Sequence, residues 1–576
     1  MLAIIVLIAI LIHMFIKVTR SGSHSYAQLT ESFRDENGKP RQRTLLNLGR
    51  IDESNGALDS LLRGLMKVKG HPAVTESPQI EFESALALGD VWALDQLWRE
   101  LGFDAMALEF RKFKYTNPIE QYLRVMVFNR LCDPESKLGV LRWLETVKIP
   151  GIADTSLITH QQLLRGMDAL MDHQDVIDSV VTKLLRPLID EEMSLVFYDL
   201  TTIRAAGLSE LDGDIRKFGM SKEGLIARQF MLGVVQTADG LPIYHEVFDG
   251  NQSETKTLMP TLTKIIARYP HIKRLIVVAD RGLLSLDNIE ELEKLRVSET
   301  QALEFILAVP GRRYSEFTDL LQGFQDEVKD PQGETIDETR WNNLRLVIAH
   351  NPETAKEQTL ARNTKISELE TKANEWVGKL GDQDAGSIKR GRKLSDSGAK
   401  ARFYHEVCEA HLGKIIKVDL KSDLFAYTIE ESALALAKMM DGKLLLVTNV
   451  KDLTAQEVVK RYKSLADIER GFRVLKSEIE IAPVYHRLPE RIKAHAMLCF
   501  IALIIYRVMR QRLKMAKSAL SPEKALAQLR RIQHHRVRIN NEAPVSGIST
   551  VQEAQAQVYE ALNLKKPTQN AQMCLL

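Results

Sequence analysis

The sequence predicts a mixed α/β protein of several domains, and three observations lead there. The first is a pair of short apolar runs rich in strand formers, residues 194–199 and 274–280, each ending abruptly in an acid. The second is the order around them. Strands at 229–237 and 241–248 flank an Asp239-Gly240 turn, a helical period covers 254–269, and a helix over about 286–295 precedes a strand at 305–309. Strand, strand, strand, helix, strand, helix, strand describes a mixed layer and excludes a purely parallel one. The third is size: 576 residues exceed one core, and 45% hydrophobic with 27% charged residues is the balance of an ordinary folded soluble protein.

Taken in order, residues 1–13 stand apart. Their first twelve are unbroken apolar sequence without a basic leader or a cleavage site, and shorter than the roughly 18 residues a spanning helix needs. An over-extended start with Met14 as initiator is favoured over a short anchor or a core element. Residues 14–80 form a strand and hairpin segment, with strands at 26–34 and 42–48 around Asp35-Glu36-Asn37-Gly38, where Asn-Gly is a strong hairpin signal. Residues 81–190 are helical, with apolar positions at three and four such as Leu94, Leu97 and Leu101, then Tyr122, Val125, Phe128 and Leu131. This segment is a candidate DNA-binding domain, although no motif in it is sharp. The mixed layer occupies 191–310 and 451–515, interrupted by an insertion at 311–450 with charged helices and strands. A basic tail, 516–576, closes the chain. Residues 495–509 are apolar nearly all round, a buried helix rather than a membrane span.

Composition narrows the partners. A formal net charge of +2 means that any polyanion must be met by local basic patches. Four scattered cysteines, with no disulfide framework or metal-like spacing, fit a reducing compartment and argue against a structural zinc.

The chemistry gathers around residues 461–476. Read as one helix, Leu465, Ile468, Phe472, Leu475 and Ile479 make an apolar stripe, with Tyr462, Glu469, Arg473 and Lys476 in an arc beside it. Alone this could be a surface helix with an i,i+4 pair. Asp199 and Asp280 add two acids where apolar strands give out, although either alone could be a turn or capping residue. Three carboxylates around one small volume would need a cation, and hard Mg²⁺ or Mn²⁺ suits carboxylate oxygen. Two such ions activate an attacking oxygen and stabilise a leaving one at a phosphodiester.

Tyr462, Leu465, Glu469 and Lys476 have the spacing of the Tyr-Arg-Glu-Lys signature, and the chain here resembles the insertion-sequence transposases that carry it (transposase family four, DDE domain). Phe197-Tyr198-Asp199-Leu200-Thr201-Thr202 and Val278-Ala279-Asp280-Arg281-Gly282 look like that family's two Asp regions. Gly250-Asn251-Gln252-Ser253-Glu254 followed by Thr257-Leu258 resembles its Gly-Asn, Glu, Thr-Leu stretch. The resemblance covers roughly 194–511. It implies a ribonuclease-H-like mixed-sheet core with the insertion before the Glu helix, and Asp199, Asp280 and Glu469 as catalytic metal ligands for two Mg²⁺ or Mn²⁺ ions. It also implies Tyr462 and Lys476 as DNA contacts, cut-and-paste DNA transposition, and a homodimer when two ends are paired. The sequence departs at Leu465, where the family has Arg. Arg461, Lys463 or Arg473 are candidates to replace it.

Further DNA contacts are expected from Lys222, Arg228 and Arg281, and from a run with Lys389, Arg390, Arg392 and Lys393. A second basic run covers 507–538. Such runs are often solvated faces, and phosphate contacts set affinity and register rather than sequence choice. Tyr462, Trp341 and Trp376 are candidates for base stacking or for plain packing. The expectation is a transposase acting on double-stranded DNA, cytoplasmic and nucleoid-associated, with no membrane partner. The alternatives are a ribonuclease-H-type nuclease without strand transfer and a non-catalytic DNA-binding repressor.

Overall fold

The computed structural model describes residues 14–51, 56–69, 79–189, 194–207, 211–220, 226–279, 286–327, 333–385, 394–539 and 542–568. The apolar residues 1–13 lie outside them. The chain divides into two compact units, Met1–Ser84 with Arg536–Ser546, and Ala85–His535 with Gly547–Leu576.

In the first unit β1 (Met14–Ser21), β2 (His24–Arg34) and β3 (Pro40–Arg50) form an antiparallel sheet in that order. The expected hairpin joins β2 to β3. Gly38 takes φ 73°, and the Asp35 carboxylate accepts from the amides of Asn37 and Lys39, so the reversal is held locally. Helix α1 (Gly56–Val68) follows, then β4 (Ile80–Ala87).

The second unit begins with the expected helices: α2 (Gly89–Glu100), α3 (Met106–Lys112), α4 (Ile119–Cys132), α5 (Lys137–Leu144), α6 (His160–Asp172) and α7 (Gln174–Leu185). Their starts are set by local chemistry. Ser136 caps α5 through the Gly139 amide, and Thr159 with Gln162 makes a reciprocal capping box on α6. The chain then enters a mixed sheet through β5 (Ser194–Arg204), β6 (Lys217–Met220), β7 (Ile226–Thr237) and β8 (Pro242–Asp249). Next come α8 (Leu258–Arg268), β9 (Leu275–Ala279), α9 (Leu286–Lys294), β10 (Glu304–Ala308) and α10 (Thr318–Glu327).

The insertion does not wholly interrupt the layer, contrary to expectation. Its flanking strands β11 (Thr335–Trp341), β12 (Leu344–His350) and, after the intervening elements, Lys443–Thr448 join the sheet. Leu346, Ile348, Leu445 and Val447 face one core, while Val347, Ala349 and Leu446 face another. Between them α11 (Pro352–Asp384), α12 (Asp396–Glu409), β13 (Ile416–Val418), β14 (Tyr427–Ile429) and α13 (Glu431–Met440) enclose a separate small core around Leu369, Phe403, Val407 and Phe425. Strand 443–448 is β15. The sheet order is β11-β12-β15-β10-β9-β5-β7-β6, with β8 also on β7. Strand β9 runs parallel to both β5 and β10.

After β15 come α14 (Ala455–Lys463), α15 (Leu465–Ser477) and α16 (Pro489–Met515). By length and apolarity α16 could cross a membrane, yet its apolar window is almost wholly buried within the protein. It packs on α4, α6 and β8, with Phe500 stacked on His245 at 4.5 Å. The C-terminal stretch expected as a basic tail is folded: α17 (Pro522–Leu529), β16 (Gln533–Ile539), β17 (Val545–Ile548) and α18 (Glu553–Ala561). Leu526, Leu529, Tyr559 and Leu562 are buried, and the Tyr559 hydroxyl donates to Gly89 O at 2.7 Å. Apolar side chains at helical spacing carried this segment inward despite its charge.

Candidate active site

Asp199 does not sit where its strand ends. Strand β5 continues to Arg204, since residues 200–204 keep pairing with β7. The strand end that matters is on the other side. Pairing of β5 with β9 stops at Tyr198↔Ala279, so Asp199 is the first β5 residue without a β9 partner while still held by Val234 of β7. Ala279 covalently precedes Asp280, which lies outside the described residues. Asp199 is 9% exposed, and one carboxylate oxygen accepts from the Leu200 amide at 2.7 Å.

Alternation along β5 puts Phe197 and Asp199 on one face and Val196, Tyr198 and Leu200 on the other. Tyr198 holds that orientation. Its hydroxyl donates to Thr257 Oγ1 at 2.8 Å, and Thr257 in turn donates to Glu254 O at 2.6 Å. Its ring lies on Gly233, where a Cβ would come within 3.0 Å of the phenol. Burial pushes the Tyr198 phenol well above its usual range, so it stays a neutral donor. Gly250 is equally constrained, because a Cβ there would lie 1.9 Å from Gln229 O. Thr257 thus braces the strand that carries Asp199, and Gly250 lets the same stretch close on the adjacent strand β7. Sequence spacing alone had no means to assign that role, since both partners are distant in the chain.

The 461–476 stretch is two helices, not one. Ser464 separates α14 from α15 and its hydroxyl donates to Lys460 O at 3.1 Å. Tyr462 therefore belongs to α14, half-buried against the cluster of Phe197, Ile276 and Val278. The apolar stripe also divides. Leu465 joins that same cluster, whereas Phe472, Leu475 and Ile479 join the larger core. Helix α15 packs on β5. Its close approach to the sheet occurs at Gly471, where a Cβ would meet Arg507 Nη2 and Gln236 Nε2 at 2.8 Å, and Gln236 is the β7 partner of Phe197. The backbone of Glu469 lies in this helix two residues earlier; its side chain is outside the described residues. Arg473 is exposed and Lys476 partly so.

The expected DNA contacts divide sharply. Arg228 is buried, donating to Gly207 O at 3.1 Å and lying 3.7 Å from Asp214. That position makes it an internal brace with no open face toward a phosphate backbone. Beside it Arg216 makes a buried pair with Asp214 at 2.7 Å, and those hydrogen bonds hold the Asp214 carboxyl down at about 2. Lys222, Arg281, Lys389, Arg390, Arg392 and Lys393 lie outside the described residues. In the second basic run Arg507 is buried against Gln236 and Arg512 pairs with Glu100. Arg536 and Arg538 pair with Glu83. Lys514, Lys517, Lys524 and Arg531 remain exposed. Trp376 packs in the insertion core and Trp341 against Phe317, so both are packing residues.

Among the described residues no cluster of three metal-ligating side chains occurs. Asp199 supplies one hard oxygen donor; Asp280 and the Glu469 side chain, expected to complete a set, lie outside the described residues. An oxygen-only donor set fits Mg²⁺ or Mn²⁺ rather than zinc.

Residues 191–505, more than half the chain, match the family model described as transposase DDE domain. Residues 16–76 match that of the IS1634 family transposase, N-terminal domain. No curated protein matches the chain.

Proposed function

Because the chain belongs to the DDE transposases of insertion sequences, we propose that it cuts DNA at the ends of such an element and joins the freed 3′ ends to target DNA. The acids of this reading are Asp199, Asp280 and Glu469. The observation that carries it is the Tyr198↔Ala279 pair, in which the residues just before the two aspartates are parallel neighbours. The approach of α15 at Gly471, two residues from Glu469, supports it from above the same strands. A mixed sheet with β5 and β9 as central parallel partners also supports the ribonuclease-H-like reading of the core.

Asp199, Asp280 and Glu469 would hold two divalent ions, which when bound lower the pKa of water and offset charge on the leaving oxygen. The chain's own contribution is positioning. Tyr198, tied to Thr257, holds the Asp199 face toward α15, and burial at 9% exposure limits competing water. Tyr462, Arg473 and Lys476 would contact the DNA. Leu465 is buried where the family has Arg, and Lys463 is paired with Glu334 at 2.6 Å. Exposed Arg473 is therefore the best-placed substitute. Two copies would pair two ends, on nucleoid DNA in the cytoplasm.

Mg²⁺-dependent cleavage of a duplex carrying the element's terminal repeats tests the proposal. Asp199→Ala, Asp280→Ala and Glu469→Ala should each lower cleavage by at least about a hundredfold, with band-shift affinity retained. Full cleavage by any one variant removes that residue from the site. Pre-cut ends that are never joined to target DNA would reduce the activity to hydrolysis.

A further inference from the structure

A cleft of 820 Å³ opens where the segment after α15 crosses the end of β5. Val484 continues that strand's edge, donating to Arg204 O at 3.0 Å and accepting from the Ala206 amide at 2.8 Å. Asp199 lies six residues before Ala205, the bridge partner of Val484, about 20 Å along the strand, so the cleft is separate from Asp199.

Its charged lining is unbalanced. Lys137, Arg130, Arg487 and Arg491 stand against Glu135 and Glu480. Several are already engaged. Arg491 is held by Asp168 through two bonds of 2.7 and 2.8 Å, Arg130 donates to Glu480 O at 3.1 Å, and Glu135 lies 3.6 Å from Arg142. Arg487 is exposed to solvent, and Lys137 is the buried exception. It is 6% exposed, lines the cleft, and no carboxylate among the described residues pairs with it. A buried ammonium without a counter-charge is costly, and a cleft that admits an anion offsets that cost. Lys137 also opens α5, whose positive end lies on the same wall, with its Gly139 amide already capped by Ser136 and the Glu135 carboxylate against its first turn. Depressed to about 7 by burial first and then by Arg130, the Lys137 ammonium would be drawn back to full charge by an arriving anion.

We propose that this cleft binds a phosphate group, seated on Lys137 at the start of α5. The group could arrive as a free phosphate or as part of a nucleic-acid strand. The full chain, melted in phosphate-free, metal-free buffer, separates these with inorganic phosphate, dAMP and a short single-stranded oligodeoxynucleotide as probes. Without metal no cleavage enters the readout, so failure here is distinct from failure of the catalytic assignment.

At least one probe should raise the melting midpoint of the wild-type chain. Lys137→Met should melt at the same or a higher temperature without probe, lose most of the probe-dependent rise, and bind about tenfold more weakly. Lys137→Gln carries the same expectation with a polar side chain. A response to inorganic phosphate identifies a free-anion site, and a response to the oligodeoxynucleotide alone identifies a strand-backbone site. Equal affinities in wild type and variants, or no wild-type response to any probe, overturns the proposal. So does a lower probe-free midpoint in both variants, which would make Lys137 a brace of the fold.

Discussion

Asp214 and Arg216 exchange several hydrogen bonds in a place from which water is excluded, with Arg228 alongside. Losing one partner would strand a buried charge. Asp214→Asn should destabilise the chain by about 3–5 kcal/mol in denaturant titrations. Since Arg216 first and the Arg216 amide further hold that carboxyl near 2, its contribution is complete above the ordinary Asp pKa and lost as pH falls toward 2. Lys137 behaves in the opposite sense. Its folded pKa of about 7 lies below the ordinary lysine value, so the unfolded chain binds more protons between the two. Stability should therefore rise with pH from about 7 toward 10, with the full cost present below that window. Arg130 on α4, Cys499 and His495 on α16, and His486 face the same group. The stability difference between wild type and Lys137→Met isolates Lys137 from them: it should favour Met at neutral pH and vanish near pH 10. Tyr198→Phe removes the donor to Thr257 and should cost about 1 kcal/mol; a larger loss in cleavage than in stability would mark it as a positioning residue.

Elements were legible where their signal was local. The Asn37-Gly38 hairpin, the helices from Gly89 onward and the strand–helix order of the layer follow from turn chemistry and periodicity, whereas the start of the segment expected to be helical, Ile80–Ala87, is a strand. What was hidden depended on neighbours. Strand β5 outlasts its acid because Leu200 to Arg204 still find β7 partners, and no residue pattern reports which flank of a strand is open. The break at Ser464 was equally silent, since a single serine sharing its turn's carbonyl is compatible with an unbroken helix. With it went the reading of one stripe: Leu465 and Phe472 keep helical spacing yet lie in different cores. Of the three acids only Asp199 could be followed in the described side chains. Gly250 is the sharpest element-level test. Its Cα abuts the backbone carbonyl of Gln229, which no side-chain adjustment can move aside. Gly250→Ala should destabilise by about 3 kcal/mol, at the upper end of overpacking effects, and lower the melting midpoint.

Across the whole chain, charge misled where burial decided. Residues 516–576 read as a tail because lysines and arginines dominate their start, yet Leu526, Leu529, Tyr559 and Leu562 are core residues. Ending the chain at Met515 should expose the apolar face of α2 and yield aggregated protein, checked by the soluble fraction after expression. The insertion has the reverse character. Strands β12 and β15 are antiparallel neighbours with His350 opposite Lys443, and the Asn351 amide donates to Gly442 O at 2.9 Å. Everything from Pro352 to Asp441 thus leaves and re-enters through one doorway. An Asn-Gly link across it would make a plain hairpin of the two strands, and what those ninety residues would take with them is the packing of α13 on α10 and of Met439 and Met440 on the large core.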